Sequence, residues 1–345
     1  MALLAIVLHM LASATLRAQT PQTQVLIVRV IDSLSRAPLP NADITDLATG
    51  QHRITDDHGR TSLSWPSDGK MRLRVREIGY QPRHATLERV AVSGEISFAM
   101  EKVSYVLPDV RATGRCSTET DTVLLGLSVV ALDQLKQAAE KLNEFRRVYP
   151  FEATVERRSA AIPPRGDVKR IVVGKEQLRS EELVSRYRPG DVVERRFGGF
   201  SVPILNISTL ADSVFWEHHC FRARGFGWYQ GDRVVRLEFS PTNDVDGPDY
   251  MGSAVMDSAT SMLLRVDFQL ANAHRGDKPT RLDGYTTFMS PSPFVVLPDS
   301  TVAVWWTRNP EKGEWGKPDY AQSLHIETMK YKKELPPTYG EGNLR

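Results

Sequence analysis

Between residues 25 and 81 hydrophobic and polar positions alternate in short bursts separated by turn residues. Val28, Val30 and Ile44 alternate with polar neighbours, as does the run of Leu73 and Val75 toward Ile78; this is the period of half-buried strands. Pro38-Leu39-Pro40-Asn41, Thr49-Gly50, Asp56-Asp57-His58-Gly59, Ser67-Asp68-Gly69 and Gly79-Tyr80 punctuate them. Turn chemistry recurring roughly every 8–12 residues predicts a small antiparallel sandwich. A further strand pattern over 95–100 closes the region, and Pro108 and Gly114 mark 103–114 as a connector.

The period then changes. Leu132, Leu135, Ala139, Leu142 and Phe145 recur at helical spacing behind Ser128, a residue type suited to an N-cap, and Pro150 stops the run. Gln134, Lys136, Lys141, Glu144 and Arg147 are expected on the opposite, polar face. That face has too few basic residues for a membrane-surface helix, so the apolar stripe should pack on a following sheet.

Strand patterns return over 151–157, 169–173, 192–197, 234–239, 252–257, 262–270, 285–289, 294–297, 301–307 and 323–331. Val302, Val304 and Trp306 alternate with Thr301, Ala303 and Trp305, so one of these two sets is buried. Asp257 to Ser261 reads as a hairpin loop. The spacing is too uneven, and the charges on both faces of 192–196 too many, for an outer-membrane barrel.

With 345 residues, 41% hydrophobic and 25% charged, the chain has room for two cores. A formal charge of +2 with both signs interspersed gives no reason to expect a nucleic-acid partner. The apolar run 2–16 is short for a membrane span and precedes small residues, so 1–18 reads as a secretory signal peptide cleaved after Ala14 or Ala18. No later segment is apolar enough to span a bilayer as a helix. In an oxidising compartment the two cysteines, Cys116 and Cys220, are candidates to pair. Closing a loop of that length would contribute about 4–5 kcal/mol in the chain-entropy model.

The succession Val28-x-Val30-x-Asp32-Ser33, Pro38-Leu39-Pro40-Asn41-Ala42, Thr49-Gly50, Thr55-Asp56-Asp57-His58-Gly59-Arg60 and Gly69 to Pro82 resembles the carboxypeptidase regulatory-like domain. The resemblance implies a transthyretin-like, carbohydrate-binding-like sandwich and no peptidase activity. The hairpin around Asp257, with its Leu264-Arg265-Val266-x-Phe268 return, resembles the curved sheets of periplasmic lipoprotein-carrier proteins. That likeness implies a sheet wrapped round a helix over an apolar concavity, where Trp305, Trp306, Phe268 and Phe294 could line a pocket.

Catalytic templates fit poorly. No His-x-x-Glu supplies a zinc peptidase pair, and no Gly-x-Ser-x-Gly or phosphate-binding glycine loop is present. Glu217, His218, His219 and Cys220 are the best metal-like cluster, but in a strand His218 and Cys220 share one face while His219 points away. Asp244, Asp246 and Asp249 around Gly247 lack the spacing of a calcium loop. A hydrolase would have to use His218 or His219 as base beside Asp244 or Asp246. Gly225-Phe226-Gly227-Trp228-Tyr229 reads as an aromatic loop or turn able to present rings to a sugar or a partner.

The expected organisation is therefore mainly β: signal peptide 1–18, regulatory-like sandwich 24–101, linker 102–127, a curved antiparallel sheet with one amphipathic helix over 128–335, and tail 336–345. The expected protein is a non-enzymatic envelope, periplasmic or secreted binding protein without cofactor or metal. Its ligand is a glycan or peptide on the sandwich or, alternatively, a lipid or lipoprotein in the second sheet; an envelope protein is the other candidate partner. Trp228, Tyr229, Trp305 and Trp306 are the candidate contacts.

Overall fold

The computed structural model describes residues 25–102 except 91 and 93, then 122–163, 168, 170–196, 199–273, 279–292, 295–307 and 316–333. The expected signal peptide and tail, most of the linker, Cys116 and Phe294 lie outside these residues.

Strands β1 (Val25–Asp32), β2 (Asp43–Asp46), β3 (His52–Ile54), β4 (Arg60–Ser64), β5 (Lys70–Arg76), β6 (Arg83–Glu88) and β7 (Glu95–Met100) form two facing sheets. One has three strands in the order β4-β1-β7, the other four in the order β3-β2-β5-β6. Leu26, Val28, Val30, Ile44, Leu63, Met71, Leu73 and Val75 fill the space between them. The alternating positions of β1 and β5 thus do what their period requires. At the β3–β4 turn Asp56 Oδ1 accepts from the amides of His58 (2.9 Å) and Arg60 (2.8 Å). Gly59 there has φ +68°, and a Cβ on it would meet the Val30 carbonyl at 2.4 Å, so no other residue fits.

Helix α1 (Thr122–Val148) follows, then β8 (Phe151–Ala161), β9 (Val172–Arg179) and a 3₁₀ turn at Ser180–Glu182. A small hairpin, β10 (Glu194–Arg196) and β11 (Gly199–Ser201), leads to two short helices, α2 (Ile207–Leu210) and α3 (Ser213–Glu217). Strands β12 (His219–Tyr229), β13 (Asp232–Pro241), β14 (Asp249–Asp257), β15 (Leu263–Ala271), β16 (Arg281–Ser292), β17 (Val295–Trp306) and β18 (Tyr320–Tyr331) complete the chain. They join β8 and β9 in one nine-stranded sheet ordered β12-β13-β14-β15-β16-β17-β18-β8-β9. The β14–β15 turn is the expected hairpin: Asp257 Oδ1 accepts from the amides of Ala259 (3.0 Å) and Thr260 (2.6 Å).

Several expectations are corrected. Helix α1 begins at Thr122, so Ser128 is not its N-cap; it is buried, and its Oγ accepts the Ala223 amide at 2.8 Å. Gln134 and Lys141, expected on a solvated face, are 1% and 5% exposed. The reason is that α1 is packed on two sides. Leu135, Leu142 and Phe145 face the large sheet, while the Glu77–Tyr80 turn of the sandwich meets the other side. There the Gly79 amide donates to Gln134 Oε1 at 2.8 Å, and Lys141 Nζ lies 2.7 Å from Glu77 Oε2. Ile78, next to the β5 pattern, leaves the sandwich core and joins the second one.

The run 215–221 is not one strand: α3 ends at Glu217 and His218 caps it before β12 starts. Gly225 to Tyr229 is no loop, since Gly227 and Trp228 pair with Val234 and Arg233 of β13. The strand expected at 169–173 is β9, shifted toward the C-terminus, and 295–306 is a single irregular strand.

Candidate functional site

The two edges of the large sheet are β12 and β9, and residues 180–218 connect one to the other. Within that stretch, residues 182–194 and 202–209 supply the roof over the inner side. Alternation supplies the floor. Phe268 of β15, Leu282 of β16, Ala303 and Trp305 of β17, Leu324 of β18 and Val155 of β8 point inward through cross-strand partners. Gly284, between Phe268 and Ala303, leaves room for the Phe268 ring: a Cβ there would lie 2.6 Å from Phe268 Cζ.

Between roof and floor lies a half-open cavity of about 1910 Å³. Leu183, Tyr187, Val192, Ile204 and Leu205 line it from the roof; Val155, Leu178, Phe268, Leu282, Leu324 and Ile326 line it from the floor. Arg157 and Glu176, paired on neighbouring strands, add charge at one flank, and Trp305 and Tyr320, with ring centroids 4.6 Å apart, add aromatic surface at another. Arg186, Arg188, Asp191, Glu194 and Asp319 border it as well, so the chamber offers apolar surface interrupted by ionisable groups.

The roof is pinned by Asp249, fully buried at the start of β14. Its Oδ2 accepts from Tyr187 Oη (2.7 Å) and the Gly190 amide (2.9 Å), and its Oδ1 accepts from the Tyr250 amide (2.7 Å). Burial and this carboxylate push the Tyr187 phenol well above its ordinary range. Tyr250 Oη donates to the Pro203 carbonyl at 2.8 Å, and Arg146 of α1 donates to the Leu183 carbonyl at 2.9 Å. Asn206 caps α2 by accepting the Thr209 amide at 2.9 Å.

The predicted contact residues are dispersed. Trp305 and Phe268 line the cavity. Trp306 sits on the opposite face, opposite Arg281, whose guanidinium lies 4.7 Å from its ring centre. The inward set at the end of β17 is thus Thr301, Ala303 and Trp305, the less apolar of the two. Val302, Val304 and Trp306 face outward among long side chains such as Arg281 and Tyr285, whose stems cover apolar surface. Trp228, 74% exposed, and Tyr229 end the edge strand β12 and are not among the cavity residues.

The metal-like cluster is taken apart by its own elements. His219 is buried, stacked on Phe215 with centroids 3.8 Å apart, and its Nδ1 and Nε2 face the carbonyls of Phe215 (3.0 Å) and Tyr250 (2.8 Å). Its acidic neighbour is Asp249, at 3.6 Å from Nε2, rather than Asp244 or Asp246. Burial pushes the imidazole down, against the pull of Asp249 and the two carbonyls. In its neutral form the ring donates to one of these carbonyls, and its stacking on Phe215 makes it part of the core. His218 Nδ1 faces the Val214 carbonyl at 2.9 Å. Among the described residues no group of three or more His, Cys, Asp or Glu side chains is placed to hold a metal ion. The pairing expected of Cys220 involves Cys116, which lies outside the described residues.

The roof residues, Asp249 above all, were not legible as site residues, because the pin joins Tyr187 and Gly190 to a strand 62 and 59 positions away. The nearest signal is Asp249 itself, in the acidic run around Gly247 whose spacing does not fit a calcium loop.

No family model matches this sequence, and no curated protein matches it. Solved structures similar to the chain include an outer membrane lipoprotein-sorting protein domain from Vibrio parahaemolyticus, at 14% identity and TM-score 0.30, covering 58% of this chain and 95% of that one. A DUF1329 family protein from Desulfovibrio piger shows 12% identity and TM-score 0.32, with 61% and 97% covered. A LolA superfamily protein from Nitrosomonas europaea shows 13% identity and TM-score 0.31, with 61% and 94% covered. TM-scores of this size assign neither fold nor function. No helix among the described residues is long and apolar enough to cross a membrane, which says nothing of strands.

Proposed function

We propose that this chain is an exported, non-enzymatic envelope protein, periplasmic or outer-membrane-associated, that holds the hydrocarbon part of a lipid or a lipid-modified protein against its large sheet. The single observation behind this reading is the roofed cavity of about 1910 Å³ with an apolar floor. Pockets for drug-sized ligands run to roughly 1,000 Å³, so this chamber suits a longer molecule. Each methylene buried there would contribute about 0.8 kcal/mol, enough for firm retention of one acyl chain. The cavity lies on the second module, which favours the lipid reading over a glycan held by the sandwich. The sandwich, as a regulatory-like module, would then act as a support docked on α1. Export also carries the pairing of Cys116 with Cys220.

Fluorescence of cis-parinaric acid, displaced by fatty acid, lysophospholipid or diacylated peptide, tests the reading. Ala303→Trp, which projects a large ring into the chamber, should weaken binding by about tenfold or more, on the order of 1.4 kcal/mol. Its melting temperature should stay within about 4 °C of the parent. Failure of the unaltered protein to bind any of these, with stabilisation by a soluble glycan instead, would turn the assignment to the sandwich.

A further inference from the structure

The pairing between β17 and β18 is incomplete. It runs from Trp305 opposite Tyr320 to Ser300 opposite His325 and stops. Beyond that point residues 295–298 of β17 pair only with β16, and residues 326–331 of β18 pair only with β8. The two strands therefore part while each keeps its other neighbour, which opens a split in the sheet. A register irregularity in β16–β17 leaves Asp299 without an opposite residue at the point where the split begins. Farther along, the inner side of the split is closed by aromatic packing from α1, where the ring centroids of Phe145 and Tyr331 are 5.9 Å apart.

The cavity reaches this split. His325 lies between Leu324 and Ile326, both inward, so alternation puts its side chain on the outer face. It nonetheless lines the cavity, as do Asp299 and Ser300. Together with Asp299 it lies where the β17–β18 pairing ends, so the chamber reaches the parting of the two strands. The side chains of His325 and Asp299 are 56% and 37% solvent-exposed, and His325 Nδ1 lies 3.8 Å from Asp299 Oδ1. They border the chamber and the solvent at once, which is the position of a mouth. Behind them Leu324, Ile326 and Val155 continue the apolar floor.

We propose that the cavity has a side mouth between β17 and β18, framed by Asp299 and His325, through which a single-chain amphiphile is taken up, its chain over Leu324 and Ile326 and its polar head between the two framing side chains. This rests on the lipid-binding reading of the same cavity. The pair Asp299→Cys and His325→Cys, oxidised to a cross-link verified by mass spectrometry, would tie the split closed. Stopped-flow uptake of cis-parinaric acid should then slow by about tenfold or more, and dithiothreitol should restore the rate in the same sample, which also shows that the protein is folded. The unaltered protein carried through the same oxidation and reduction controls for its own cysteines. As a second readout, bimane attached to His325→Cys should change its emission when the probe loads. Uptake at the unaltered rate through the cross-linked protein, or a bimane signal indifferent to loading, would overturn the side mouth while leaving the binding reading intact. No binding by the unaltered protein would overturn both.

Discussion

Lys141 of α1 places its ammonium 2.7 Å from Glu77 Oε2 of the sandwich, with both side chains nearly closed off from solvent. The same ammonium lies 3.4 Å from the Asn41 carbonyl. Burial pushes the Glu77 carboxyl up, and the charge of Lys141 only partly offsets this. Next to it Arg76 bridges Asp43 of the sandwich and Glu140 of the helix. Two modules with separate apolar cores are thus joined through ionised groups, which tolerate no sliding without leaving a charge unpaired.

Lys141→Met should therefore destabilise the protein by about 3–5 kcal/mol, because a buried carboxylate loses its partner. Glu77→Gln added to it should recover most of the loss. Urea titrations of the single and double variants measure the coupling; strictly additive effects would mean the pair is not energetically linked.

Acid should loosen the same joint. Although burial works against it, the hydrogen bond from His52 and the charge of Arg76 hold the Asp43 carboxyl well below its ordinary 3.8. In that window the unfolded chain binds the proton and the folded one does not, so stability is present above about pH 4 and is lost as pH falls. Urea midpoints across that range should fall more steeply for the parent than for Asp43→Asn. Parallel curves would assign the acid limb elsewhere, Asp32 included, which its hydrogen bonds from Ser35 and Tyr80 hold at about 2.

Gly252→Ala should be among the most damaging small substitutions in the sheet. A Cβ there would meet the Asp267 carbonyl at 1.9 Å, and that oxygen belongs to the neighbouring strand's backbone. Overpacking of this kind costs about 1–3 kcal/mol or more. Thermal melting measures it, with Gly174→Ala, where nothing lies within 4 Å, as the control.

Asp249→Ala removes the acceptor for Tyr187, Gly190 and Tyr250 and should cost about 3 kcal/mol. Hydrogen exchange should rise over 183–205 more than in the sandwich. Uniform loss of protection would show that Asp249 supports the whole module and not the roof alone.

If Cys116 and Cys220 pair as proposed, the mature protein should resist maleimide until reduced. Cys220→Ser should then lower stability by about 4–5 kcal/mol in the chain-entropy model. Rapid labelling of the unreduced, folded protein would refute the pairing.

Where residues act through near neighbours, the chain announced its structure. The period-two runs of β1 and β5, the Asp56–Gly59 and Asp257–Ser261 turns and the apolar stripe of α1 follow from φ preferences, local hydrogen bonds and alternation, all readable within a few positions. The sequence by itself therefore determined a mainly β protein with a small sandwich and a helix against a larger sheet. Only the tertiary structure decided which face of β17 turns inward, since both of its alternating sets are apolar enough to be buried. It alone decided that Lys141 and Gln134 lie inside, because their partners come from Glu77 and Gly79 of another module. The cavity, its roof pinned by Asp249 and the split at Asp299 and His325 depend on strands that meet after a long excursion of the chain, and a pattern with a range of a few residues carries no record of such meetings.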